Sequence, residues 1–229
     1  RGMPGVPEFI ENIDDTTTAL LVDVRGEQQE QLAAKQAAVE LLCAGLPLLW
    51  PCHFSQTQAQ YQSYWKVRKG LFPAVGANRP KGTTVIIEDV AFPVETLAAA
   101  VLELQALLRK HAYHEAIIFG HALEGNLHFV FCQAFDSPEE VARYDAFMQD
   151  VAHLVVEGYQ GSLKAEHGTG RNMAPFVKHE WGEEAYEVMW KIKSLLDPNN
   201  ILNPGVLLNR DQSVHLKNLK LRFCTLEHW

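Results

Sequence analysis

The amino-acid sequence predicts an α+β fold, a mixed or antiparallel sheet with helices packed mainly on one face. Three observations predict it. β-Branched and aromatic runs interleave with apolar residues at helical spacing. Two strand-like runs, 115–119 and 126–132, are joined too tightly for a parallel crossover, so that pair at least is antiparallel. No repeat of 20 to 50 residues and no low-complexity tract points to another architecture.

In chain order, 18–24 (TALLVDV) reads as a strand, and 27–44 as a helix with Leu32, Val39, Leu42 and Cys43 toward one face and Gly45 as its stop. Residues 55–70 read as a polar amphipathic helix carrying Tyr61, Trp65 and Arg68, with a turn-rich connector over 76–82. The β-branched run 83–90 is a strand. Over 94–111, Leu97, Val101, Leu104 and Leu108 recur at helical spacing. In 126–132, Leu127, Phe129 and Phe131 alternate with His128, Val130 and Cys132, which puts His128 on the face opposite the aromatics. Ser137, Pro138 and Glu140 supply an N-cap, a first-turn proline and a carboxylate at N3 for a helix burying Val141, Tyr144, Met148, Val151 and Val155 up to Gly158. A last helix over 183–196 turns Ala185, Val188, Met189, Ile192 and Leu195 inward and ends before Pro198. The expected arrangement is ferredoxin-like, with the two β-α-β stretches as a duplication.

Composition narrows the function. The 229 residues carry a net charge of −8, from 28 acidic and 20 basic residues, and would repel a nucleic-acid backbone. Cys43, Cys52, Cys132 and Cys224 are dispersed, which suits a reducing, cytoplasmic compartment. The longest apolar run, 41–52, is too short and too interrupted to span a membrane. No signal peptide is visible at the first residues.

Three clusters carry more chemistry than a core requires. His121 and His128 flank a glycine-bounded turn, and neutral imidazole is a common transition-metal ligand. Glu166 and His167 sit in a glycine-rich loop that offers a ligand and a general base. Arg68, followed by Arg79 and Lys81, suits an anionic substrate. Each cluster alone also reads as turn chemistry or a solvated face; together they offer two His and a Glu for a divalent cation with a second imidazole beside it.

Five ordered motifs resemble one family: Trp65-Lys66-Val67-Arg68, the strand end 87–93 (IEDVAFP), 120–128 (GHALEGNLH), 166–170 (EHGTG) and 196–205 (LDPNNILNPG). Together they are similar to the C-terminal substrate domain of FAD-linked oxidases of the vanillyl-alcohol oxidase superfamily, and within it to D-2-hydroxy acid dehydrogenases such as those for D-lactate and D-2-hydroxyglutarate. The resemblance implies that His121, His128 and Glu166 hold a divalent metal (Zn, Mn or Fe), that His167 takes the substrate hydroxyl proton, and that Arg68 and Lys81 bind the substrate. It implies flavin contacts at Asn126, Gly168 and Asn203, with hydride passing to flavin. Residues 1–209 would be the substrate and metal domain and 210–229 a tail or linker. An FAD-binding domain is expected upstream, and a 4Fe-4S region downstream in the long bacterial enzymes this motif form resembles. The parent enzyme would be cytoplasmic or peripheral to the inner membrane, and the isolated piece inactive. Two departures bear on substrate choice: Val130 and Ile87 stand where some relatives carry a polar residue and a lysine. A non-catalytic anion- or partner-binding module and a metal-dependent hydrolase are the competing readings.

Overall fold

The structure, a computed structural model, describes residue 14 and residues 17–219. It divides into two compact units, 1–74 and 75–229.

The first unit carries helix α1 (Gln29–Cys43) and most of α2 (Gln58–Asn78). The run 18–24 expected as a strand forms none, because no strand among the described residues pairs with its backbone; Leu20, Leu21 and Val22 are exposed. The duplicated β-α-β arrangement that needed this strand is therefore absent among the described residues. Helix α2 does not stop at residue 70 but continues through Pro73 to Asn78, shortening the expected connector. Tyr61 and Trp65, one turn apart on α2, bring their rings within 6.3 Å.

The second unit holds the core. Strand β1 (Thr84–Ala91) leads through a 3₁₀ turn into α3 (Leu97–Lys110), then β2 (Ile117–His121) and β3 (Asn126–Gln133). The sheet order is β1-β3-β2, both pairings antiparallel, so the second β-hairpin strand slots between the arms of a β-α-β crossover. One sheet face carries Val90, Leu127, Phe129 and Phe131. On it lie Ala100, Leu104 and Leu108 of α3 and Tyr144, Phe147, Met148 and Val151 of α4 (Pro138–His153). Ser137 Oγ accepts the Glu140 N–H, and Pro138 opens α4 as its sequence predicts. A π-turn, Leu154–Gly158, prolongs this helix.

Helix α5 (Val177–Leu196) is kinked at Gly182, whose φ of 79° leaves regular helix only from the position where periodicity placed its start. Its expected inward stripe holds only in part: Ala185 is half-buried and Met189 packs against Val177, Tyr186 and Leu208, but Val188, Ile192 and Leu195 are exposed. Over 211–219 the chain stays attached, since His215 is buried against Tyr144 and Phe176 with Nε2 2.9 Å from Asp145. Cys43, Cys52 and Cys132 are free thiols, and Cys224 lies outside the described residues. Among those residues no helix is long and apolar enough to cross a membrane.

Candidate metal centre

The sheet face away from the core builds the site. In an antiparallel ladder directly opposed residues share a face, and the register sets Asp89 and Phe119 on either side of His128, with His121 opposite Asn126 one row on. His121 ends β2; a 3₁₀ turn, Ala122–Glu124, and Gly125 reverse the chain into β3. Gly125 is obligatory there: its φ is +65°, and a Cβ would stand 2.0 Å from the Phe92 carbonyl oxygen. The turn thus converts an i, i+7 spacing into two adjacent imidazoles, with ring centroids 5.6 Å apart.

The third candidate ligand comes from a loop fastened to the end of β1. Ala91 and Ser162 exchange both backbone hydrogen bonds at 2.9 Å, and Glu180 accepts from Ser162 Oγ and the Leu163 N–H. Next along the loop, the N–H groups of Ala165, Glu166 and His167 all donate to Asp89 Oδ2, at 3.1, 2.6 and 3.1 Å. Three consecutive amides closing on one anion form a nest, and here a carboxylate of the same chain fills it. Glu166 Oε1 consequently lies 2.7 Å from His128 Nε2 and 3.4 Å from His121 Nε2. His167 stacks on His128, at 4.8 Å and 12° between planes, with its Nδ1 3.6 Å from Asp89 Oδ1.

Burial depresses the His128 pKa, and the neighbouring His167 adds to that against the opposing pull of Glu166 and Asp89; the neutral, ligating imidazole is favoured. Burial acts to raise Asp89, but the amides of Glu166 and His167 and the Lys164 ammonium outweigh it and hold the carboxyl below its ordinary range.

Among the described residues two candidate ligand sets fall within 4.8 Å: His121, His128 and Glu166, and Asp89, His128 and His167. The first fits a divalent ion better. A tetrahedral ion with bonds of about 2.0–2.1 Å sets its ligand atoms about 3.3 Å apart; the 3.4 Å between Glu166 and His121 matches this, the 2.7 Å between Glu166 and His128 is shorter, and His121 and Glu166 are half exposed, which leaves room for a further ligand. Asp89 is fully buried and its oxygens are already engaged, Oδ2 by the amides and Oδ1 by Lys164 at 3.3 Å. For a larger cofactor, Asn126 offers a buried Oδ1 without a hydrogen-bond partner among the described residues.

The expected residues do not all meet. His121, His128, Glu166 and His167 converge, with Asn126 and Gly168 adjoining them. Lys81 lies exposed in the turn before β1, and Asn203 is exposed with φ +47° beyond a turn held by Asp197, which accepts the Ile201 and Leu202 N–H groups. No hydrogen bond or ion pair among the described residues joins Lys81 or Asn203 to the histidines. Arg68 belongs to the first unit, half-buried on α2. Asp89 received no role from sequence, although two acidic residues inside an otherwise apolar strand are a signal, since carboxylates are almost never buried unpaired.

A family model described as "FAD linked oxidases, C-terminal domain" matches residues 5–207. The chain belongs to that family. Among its relatives, D-lactate dehydrogenase [cytochrome], mitochondrial, of Arabidopsis thaliana is 32% identical over 158 residues, covering 68% of this chain and 27% of the relative. D-2-hydroxyglutarate dehydrogenase of Stutzerimonas stutzeri is 29% identical over 154 residues (66% and 32%). Glycolate oxidase subunit GlcD of Bacillus subtilis is 27% identical over 157 residues (69% and 32%). This FAD-linked oxidase domain therefore spans about a third of the length of the curated relatives it matches.

Proposed function

We propose that this chain is the substrate- and metal-binding domain of an FAD-dependent dehydrogenase that oxidises a D-2-hydroxy acid, D-lactate or D-2-hydroxyglutarate, to the 2-oxo acid. The observation that carries the reading is the convergence of His121 and His128 on Glu166 with His167 stacked beside them, in a chain of this family. When bound, flavin supplies a hydride acceptor and a divalent cation (Zn, Mn or Fe) lowers the pKa of a hydroxyl it coordinates.

His121, His128 and Glu166 would hold the cation. His167 receives the substrate hydroxyl proton at Nε2, the nitrogen left available when Nδ1 faces Asp89. Arg68, whose guanidinium can meet a carboxylate with two parallel hydrogen bonds, and Lys81 are the candidate residues for the substrate carboxylate. Asn126, Gly168 and Asn203 would meet the flavin, whose main hold would lie in a separate domain. One row beyond His128 on the same sheet face stand Val130, Ile87 and Ile117, which offer no charge to a second carboxylate and so favour the smaller acid.

Calorimetric titration of the 229-residue chain tests this. One Mn²⁺ per chain should bind, with the affinity lost in both His121→Ala and Glu166→Ala. D-Lactate should bind only after Mn²⁺, more tightly than D-2-hydroxyglutarate, and at least tenfold more weakly in Arg68→Ala. No ion uptake, or uptake indifferent to both ligand substitutions, overturns the proposal. The chain alone should not turn over either acid; flavin-dependent oxidation by it would contradict the division of labour between domains.

A further inference from the structure

Asp89 is the best-connected side chain near the metal ligands, yet it is not placed to be one. It sits in the middle of an apolar strand, fully buried, and reaches 76 to 78 positions along the chain to bind the N–H groups of Ala165, Glu166 and His167. Lys164, the residue before them, bridges Asp89 Oδ1 and Glu88, so each loop residue from 164 to 167 is tied to this strand.

A buried carboxylate is costly to desolvate unless each lone pair is met by a donor. The amides supply such donors only when the three residues curl around one oxygen, and that curl is what turns Glu166 toward His128 and His167 onto the same ring. The requirement runs both ways: the carboxylate orders the loop, and the loop makes the buried carboxylate tolerable. Glu88, its neighbour on the opposite face, meets Lys164 and Asn172 and touches none of the three amides.

We infer that Asp89 is the positioning residue of the metal centre, holding Glu166 and His167 in register with β3 through their own backbone rather than through the ion. This rests on the metal reading proposed above and names the device that assembles it.

The test combines amide hydrogen exchange with Co²⁺ binding, read by its visible absorption, in the 229-residue chain. Asp89→Asn keeps the volume but puts an amide where the anion was. Exchange at 165–167 should rise at least tenfold in a variant that is still folded, Co²⁺ affinity should fall at least tenfold, and the residual Co²⁺ spectrum should change. Glu88→Gln should lower the melting temperature yet leave Co²⁺ affinity and spectrum within twofold. Protected 165–167 amides in folded Asp89→Asn, or lost protection with unchanged Co²⁺ affinity, overturn the inference; the second result would make Asp89 structural only. Should Asp89→Asn fail to fold, exchange in the unaltered chain decides: slow amides at 165–167 support the assignment and free-peptide rates overturn it. An unaltered chain that takes up no Co²⁺ defeats the metal reading but not this one, which then stands or falls on the exchange of 165–167.

Discussion

Two glycines near the site separate steric from conformational demand. At Gly125 a Cβ would overlap the Phe92 carbonyl oxygen at 2.0 Å, while the Phe92 N–H donates to Gly125 O at 2.9 Å, so neither partner can retreat without breaking the turn between His121 and Asn126. At Gly168 φ is +73° but no atom lies within 4 Å of a built Cβ. Gly168→Ala should therefore cost about 1 kcal/mol, the left-handed penalty alone, and Gly125→Ala about 3 kcal/mol or more, with strain and clash combined. Denaturant melts of the two variants check the order; equal losses would mean that the turn adapts. The same contrast explains what was legible here. The His121–His128 spacing and the Glu166–His167 pair are local patterns, visible in the sequence because a turn or a loop presents them together. The Asp89 contacts join segments more than seventy residues apart, and that pairing exists only after β1 and the loop are laid side by side.

Among elements, α3 and α4 were legible nearly to the residue, because an amphipathic stripe and a capped, proline-opened first turn are conditions a helix satisfies by itself. The run 18–24 failed for the opposite reason: a strand is stable only with a partner. Similarly, α2 passes Pro73 where residue-level signals favoured an earlier stop. The two well-read helices are joined at their ends by Asp150, whose Oδ2 meets Lys110 Nζ at 2.6 Å and His111 Nε2 at 2.7 Å. The Lys110 hydrogen bond, then that of His111, pulls the Asp150 carboxyl below its ordinary range. A depressed carboxylate contributes stability that is fully present above its unfolded pKa of about 3.9 and is lost as pH falls through the folded value. Lys110 is largely exposed, so solvent screens its share, and the contact with buried His111 carries most of the effect. Asp150→Asn should lower stability by about 1 kcal/mol at pH 7 and flatten the loss of stability between about pH 5 and pH 3. Thermal melts across that range measure it; parallel curves for the variant and the unaltered chain would show that the contact does not join the helices.

For the whole molecule, the distribution of burial matters more than composition. Hydrophobic residues make up 47% of the chain, which composition alone would assign to one ordinary core. Instead the core lies in the second unit, and none of the described residues of the first is buried. Leu41, Leu42, Leu49 and Trp50 in the first unit and Ile192, Leu195 and Ile201 in the second present apolar surface to solvent. Each such side chain forgoes roughly 1.5–3 kcal/mol that full burial would contribute, so the first unit has far less to hold it than the β1–β3 sheet and its helices. Regions with few buried contacts open first, and proteases cut opened chain. Limited trypsin digestion should therefore remove the first unit early, with the final cut after Arg68 or Lys69, and leave a resistant product that retains the sheet, α3 and α4. That product should still bind one Mn²⁺, because every proposed metal ligand lies between His121 and Glu166, and should lose D-lactate binding along with Arg68. Survival of α1 in the resistant product would refute the ranking of the two units, and D-lactate binding undiminished after loss of Arg68 would move the carboxylate clamp into the second unit.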